Sequence, residues 1–417
     1  MRKILLVAAL VTCLLFQPPV FAASLHVSRP EDVGMSSERL VNLKRQLQRL
    51  LDEGDTGGFQ VLVSRHGRIV MYENLGFANV EGKVPVTDET LFRIYSMTKP
   101  IMGVAMMMLY EDGLYSLDDP LSKHIPEFAD LQVFAGEDED GSLILEPAKR
   151  EPTIQDLLQH TAGFTYGIFS DTPVDKMYLD ADLVSNDQTM QQFINKLAGI
   201  PLLYQPGERW HYSVAADVQG YLVEKWTGMK VGTFLKQRIF DPLGMDQTMS
   251  WVPPDKAAML ADIYTHNGNG GRELFHGDVH LDFYHPPSAF SGGAQLISTG
   301  DDYWRFCQML LNGGKFDGKR LLSPLTVEMM SQDRLRKPAS MPDGRGFGFD
   351  FDVITDNTRL SYPASNGEYS WAGLASTVFW IDPEQDLIAI LLTQYLPYRG
   401  TYYNELLHRL VRAAVIE

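Results

Sequence analysis

Apolar residues recur at helical spacing over residues 36–53, with Leu40, Leu43, Leu47, Leu50 and Leu51 on one face. Ser37 is placed to cap this helix and Gly54 to end it. Two runs rich in β-branched and large residues follow, 58–64 and 68–74, joined at Arg65-His66-Gly67, and read as a hairpin. Residues 92–95 form a third strand or an approach to the next helix. The pattern then turns helical, at 97–112, 153–160, 188–197, 215–227 and 231–240, with prolines between the segments. After another helical run at 299–311, strand-like segments return at 347–354, 375–381 and 387–393. Asp356-Asn357 and Asp382-Pro383-Glu384 mark turns after the first and second of these. A closing helix spans 402–415, and the acidic segment 132–147 reads as a loop.

Strands at both ends thus flank a helical middle. The pattern predicts an α+β chain with one antiparallel sheet built from both termini and flanked by the terminal helices. An α/β part would use residues 23–95 and 300–417, and residues 96–299 would form an inserted, mostly α-helical part. Neither an internal repeat nor a low-complexity tract interrupts the chain.

The 417 residues are 45% hydrophobic and 21% charged, the balance of a folded globular protein. The formal charge of −17 becomes two units more negative without Arg2 and Lys3, which argues against a nucleic-acid partner. Those two cations open a secretory-signal pattern: an apolar run at 4–16, then Val20-Phe21-Ala22 before a cut. The expectation is a signal peptide at 1–22 and a mature chain, 23–417, that is secreted or periplasmic. The run is too short to span a bilayer, and no later stretch supplies a membrane span. Cys13 lies too deep in that run for lipidation, so Cys307 alone remains in the mature chain, as a buried, inert thiol.

The joint between the strand-like residues 92–95 and the helix at 97–112 carries Ser96, and Lys99 follows three residues later. A serine at such a joint can cap the first turn. It can also be a nucleophile, because i and i+3 share a helix face and a neutral lysine can take its proton. Tyr212 stands in Pro206-Gly207-Glu208-Arg209-Trp210-His211-Tyr212-Ser213-Val214, a turn that opens the helix at 215–227, and is a candidate proton shuttle. Ser370-Trp371-Ala372-Gly373-Leu374 enters a strand pattern whose edge N–H groups could hold an oxyanion. His160 and His211 read as structural.

Taken in order, these stretches resemble the serine β-lactamase and penicillin-binding-protein superfamily, and most closely the family VIII carboxylesterases. Ser96-Met97-Thr98-Lys99 matches the Ser-x-x-Lys motif. Tyr212-Ser213-Val214 stands where relatives have Tyr-x-Asn. Trp371-Ala372-Gly373 stands where β-lactamases have Lys-Thr-Gly and the esterases often have Trp-x-Gly. Residues 157–163, 242–245 and 291–294 add supporting similarity. The resemblance implies a β-lactamase/transpeptidase-like fold and a serine hydrolase that needs no cofactor or metal. It implies catalytic Ser96, Lys99 and Tyr212, with the acylation base left open between Lys99 and Tyr212. The N–H groups of Ser96 and Leu374 would form the oxyanion hole, and Val214, Trp371 and Gly373 would contact substrate. Val214 in place of asparagine and Trp371 in place of lysine favour small-molecule esters over β-lactams. A β-lactamase, a D-amino-acid peptidase or amidase, and a catalytically idle binding protein are the alternatives; sequence gives no oligomeric state. His276, Asp278, His280, Asp282 and His285 form a rival, zinc-like cluster, read instead as a lid or packing loop.

Overall fold

The computed structural model describes residues 26–268, 270–277 and 281–417. The proposed signal peptide and Cys13 therefore lie outside the described residues.

The leucine stripe near the N-terminus forms helix α1 (Ser37–Asp52), but the cap is one residue earlier than expected: Ser36 accepts from the Arg39 N–H. The hairpin predicted next is strands β1 (Gly58–Arg65) and β2 (Arg68–Asn79), with a short β3 (Val84–Pro85) beside it. Helix α2 (Thr98–Glu111) follows Ser96, helix α3 (Ala215–Thr227) begins just after Tyr212, and helix α4 (Gly300–Leu311) precedes the returning strands. These are β4 (Arg345–Phe347), β5 (Asp352–Ile354), β6 (Tyr369–Ala372), β7 (Val378–Asp382) and β8 (Leu387–Leu392), closed by helix α5 (Gly400–Ala414).

All eight strands form one antiparallel sheet in the order β4-β5-β6-β7-β8-β1-β2-β3. The termini meet at its centre, where Gln60 pairs with Leu392 and Arg65 with Leu387. Strand alternation assigns the two faces. Val61, Val63, Leu387, Ala389 and Leu391 face α1 and α5. Leu62, Ile388, Ile390 and Leu392 face the other way, into the core shared with α2, α3 and α4. Both faces of β1 and β8 are covered, which is why these strands read as continuous apolar runs.

Helix α2 is buried from Thr98 to Leu109, so its Met- and Ala-rich sequence has no polar stripe. Tyr303 of α4 fixes its start by donating its hydroxyl to the Met97 carbonyl at 2.9 Å. Two expectations change. The segment 132–147 is a hairpin (Gln132–Glu137 with Leu143–Pro147), whose mostly exposed, acidic residues hid the strand pattern. The run at 347–354 is broken by a turn at Asp350 (φ 61°) into β4 and β5. No helix among the described residues is long and apolar enough to cross a membrane.

Candidate active site

Ser96 sits in a single 3-10 turn (Tyr95–Met97) that leads into α2. Its neighbour Tyr95 is fully buried at φ 42°, a conformation a bulky residue adopts only when its surroundings impose it. Phe283 packs edge-on against the Tyr95 ring at 5.5 Å. Met97, not Ser96, holds the N-cap position of α2, and no side chain caps it. The Ser96 hydroxyl is thus not spent on the helix, and it accepts a hydrogen bond from Lys99 Nζ at 3.3 Å.

Lys99 is 1% exposed, so it is not the solvated lysine that a simple capping motif would carry. Its Nζ also donates to the Gly293 carbonyl at 2.9 Å and lies 4.5 Å from the Tyr212 ring centroid and 5.2 Å from that of Tyr166. Gly293 permits this crowding: a Cβ there would fall 2.5 Å from Tyr166 Oη, 3.1 Å from Asp217 Oδ2 and 3.2 Å from Lys99 Nζ. Asp217 accepts from Ser291 Oγ at 2.6 Å and from the Gly293 N–H at 3.2 Å, tying the 291–293 turn to α3.

Burial sets the charge state of the surrounding groups. It pushes the Asp217 carboxyl up, against the pull of Ser291 and Lys99, and pushes Asp350 well above the usual carboxylate range. It holds the Tyr166 phenol neutral and keeps His160 well below its usual value. His160 is therefore a neutral ring, bonded to Ser213 Oγ at 3.1 Å and packed 5.0 Å from the Tyr212 ring. His211 meets Thr165 Oγ1 at 3.2 Å. Both histidines hold the Tyr212 turn in place. The Tyr212 hydroxyl is buried and makes no hydrogen bond among the described residues.

Strand β6 forms the opposite wall. The Trp371 ring lies 5.3 Å from that of Tyr212 and 5.5 Å from that of Phe347. The turn beyond β6 closes through Gly373 N–H to Thr377 O at 2.8 Å and Ser376 N–H to Gly373 O at 2.9 Å, with Leu374 at its corner, 43% exposed. Ser96, Tyr212, Trp371, Gly373 and Leu374 all line one cavity of about 940 Å³. Lys99 lies buried behind Ser96. Val214 does not line the cavity: it is 0% exposed, the residue before α3, with its side chain in the main core. The expectation that it contacts substrate is corrected accordingly.

Tyr166, Asp217 and Asp350 were missed as site residues, being far apart in sequence and outside any short motif. The Ser291-Gly292-Gly293-Ala294 stretch was the available signal, since two adjacent glycines mark a close approach of backbone. In the rival cluster, His285 Nδ1 pairs with Asp282 Oδ2 at 2.6 Å on an exposed loop, while Asp278 and His280 lie outside the described residues. No group that could hold a metal ion occurs among the described residues.

The family model for beta-lactamase matches residues 43–412. The chain belongs to the beta-lactamase family. Within it, the chain is 33% identical over 363 residues to Protein Rv1367c of Mycobacterium tuberculosis, covering 84% of this chain and 89% of that one. It is 30% identical over 341 residues to lovastatin esterase of Penicillium rubens, covering 76% and 83%. Its fold superposes on EstCE1, described as a hydrolase with promiscuous acyltransferase activity, with a TM-score of 0.74 at 26% identity, covering 91% and 99%. The chain is accordingly a serine hydrolase of this family, on the esterase side of the β-lactamase and penicillin-binding-protein superfamily, with the β-lactamase/transpeptidase-like fold.

Proposed function

We propose that the protein hydrolyses carboxylic esters through an acyl-enzyme on Ser96, and that it does so after export. The observation that carries this reading is the Lys99–Ser96 contact at 3.3 Å, at the edge of a cavity walled by Tyr212 and Trp371. Ser96 Oγ attacks the ester carbonyl and gives up its proton within the Lys99–Tyr212 pair. The N–H groups of Ser96 and Leu374 receive the oxyanion. Collapse expels the alcohol, which takes the proton, and leaves the acyl group on Ser96. Water activated in the same pair then releases the acid and restores the serine.

Trp371 supports esters over β-lactams. A lysine at this position could pair with a substrate carboxylate, whereas an indole offers an apolar face and one N–H. A lost charge-assisted contact is worth roughly 1.5–3 kcal/mol. The name of the lovastatin esterase relative points the same way. Export rests on the charged start, apolar run and small residues of positions 1–22.

The test is kcat/KM for an aryl butyrate against a chromogenic cephalosporin and a D-alanyl peptide on one preparation. The ester should be the best substrate by at least tenfold, the smallest effect expected from one lost contact. Equal or higher efficiency on the cephalosporin or the peptide would replace the ester reading with the β-lactamase or the peptidase one.

A further inference from the structure

The residues that line the cavity fall into two groups of different chemistry. One group is apolar. Phe169 packs 5.7 Å from the Tyr212 ring, and Ile168, Leu179 and Leu183 belong with it. Ile168, Phe169 and Leu179 are 63%, 53% and 56% exposed, although each lines the cavity. Large apolar side chains left open to water at a cavity mouth are a cost that an apolar ligand would relieve.

The other group is polar. Ser370 and Asp352 are register partners on β6 and β5, and Arg345 and Tyr362 complete the group. Asp352 is 4% exposed. Its Oδ2 is paired with the Arg345 guanidinium and accepts weakly from Ser370 Oγ at 3.4 Å. Arg345 in turn donates to Tyr362 Oη at 2.6 Å. The second carboxylate oxygen, Asp352 Oδ1, is buried without a hydrogen-bond partner among the described residues, and so is Trp371 Nε1. Two residues of the cavity lining thus each hold a buried polar atom without a partner, one an acceptor and one a donor. A buried acceptor left unpaired is costly, and a ligand that supplies its donor recovers that cost. Arg345 already neutralises Asp352, so a cationic ligand would lose hydration for little Coulombic return, whereas a hydroxyl fits as a neutral donor that can also accept.

We propose that the substrates are apolar acyl esters of polyhydroxy alcohols, with the acyl group against Phe169 and Leu179 and a free hydroxyl of the alcohol donating to Asp352 Oδ1. This rests on the ester-hydrolase reading and names its substrate class. The hydroxyl binds and is not consumed: Ser96 displaces the polyol, which departs with the serine's proton, and water later frees the fatty acid from the serine.

The experiment compares 1-octanoylglycerol with n-propyl octanoate, which differ by the two free hydroxyls, by octanoate release. An aryl acetate serves as control. Wild type should favour the glyceryl ester by roughly tenfold or more in kcat/KM, the worth of a hydrogen bond to a charged acceptor. In Asp352→Leu, which keeps the side chain's bulk and removes both acceptor oxygens, that ratio should fall toward one. If the variant does not fold, the wild-type ratio decides alone. A wild-type ratio near one, a ratio preserved in Asp352→Leu, or refusal of both octanoates by enzyme that cleaves the aryl acetate overturns the proposal. Failure to cleave the aryl acetate overturns the ester reading beneath it.

Discussion

Gly373→Ala tests how closely the turn after β6 must approach the nucleophile. An added methyl at this position would fall 2.2 Å from Thr377 Oγ1 and 2.3 Å from the Ile94 carbonyl oxygen. The threonine hydroxyl can rotate away. The Ile94 carbonyl cannot, because it accepts the Met97 N–H at 3.0 Å and so starts the turn that holds Ser96. Relief needs a shift of roughly 0.7–1 Å, enough to restore ordinary van der Waals separation. Either the Leu374 corner moves outward or the Ser96 turn moves inward, and both change the distance from nucleophile to oxyanion donor. Overpacking of this kind costs about 1–3 kcal/mol of stability. A misplacement approaching 1 Å costs on the order of a hundredfold in rate. The variant should therefore fold, melt a few degrees lower, and lose roughly tenfold to a hundredfold in kcat on an aryl butyrate. Steady-state kinetics and a thermal melt on the same sample read both quantities. Wild-type kcat together with a wild-type melting temperature would refute the close approach and, with it, the placing of Leu374 at the oxyanion.

Three further outcomes are expected. Lys99→Met should leave the fold intact and lower the rate of acyl-enzyme formation by roughly 10²–10⁴ in stopped-flow burst kinetics, the usual worth of a positioned proton acceptor; an unchanged burst rate would move the base role to Tyr212. Asp302, at the start of α4, accepts from Thr248 Oγ1 and the Gln247 N–H at 2.8 Å each, and burial pushes its carboxyl up to about 7. A raised carboxyl pKa means the folded state holds the proton more tightly, so this group favours folding at low pH and that contribution is lost as pH rises from about 4 to about 7. Urea unfolding at pH 5 and pH 8 should show a smaller loss for Asp302→Asn than for wild type; an equal loss contradicts the assignment. N-terminal sequencing of material exported by a bacterial host should begin at Ala23 or Ser24 without lipid, and a lipid-modified Cys13 at the terminus would overturn the reading of the leader.

Much of the scaffold was legible because periodicity reports burial. Helix α3 has the bounds its pattern predicts, and the alternating faces of β1 and β8 are written in their apolar runs. Strand order was not legible, since it depends on pairings between residues more than 300 positions apart, such as Gln60 with Leu392. Ser96, Lys99 and Tyr212 stood out because each lies in a short motif, Ser96-Met97-Thr98-Lys99 or Tyr212-Ser213-Val214. Tyr166, Asp217 and Asp350 did not, because each acts on the site through space from a separate loop or helix. Val214 shows the reverse error: adjacency in sequence to Tyr212 suggested a cavity residue, but the chain turns into α3 there and carries the side chain into the core.

The central claim, that Ser96 is the nucleophile, is tested most directly by weighing the intact protein after incubation with a serine-directed phosphonate and mapping the adduct by peptide mass spectrometry. The account predicts a single adduct on the peptide bearing Ser96, and neither labelling nor ester turnover in a folded Ser96→Ala variant. An adduct on another residue, with turnover retained in Ser96→Ala, would contradict it.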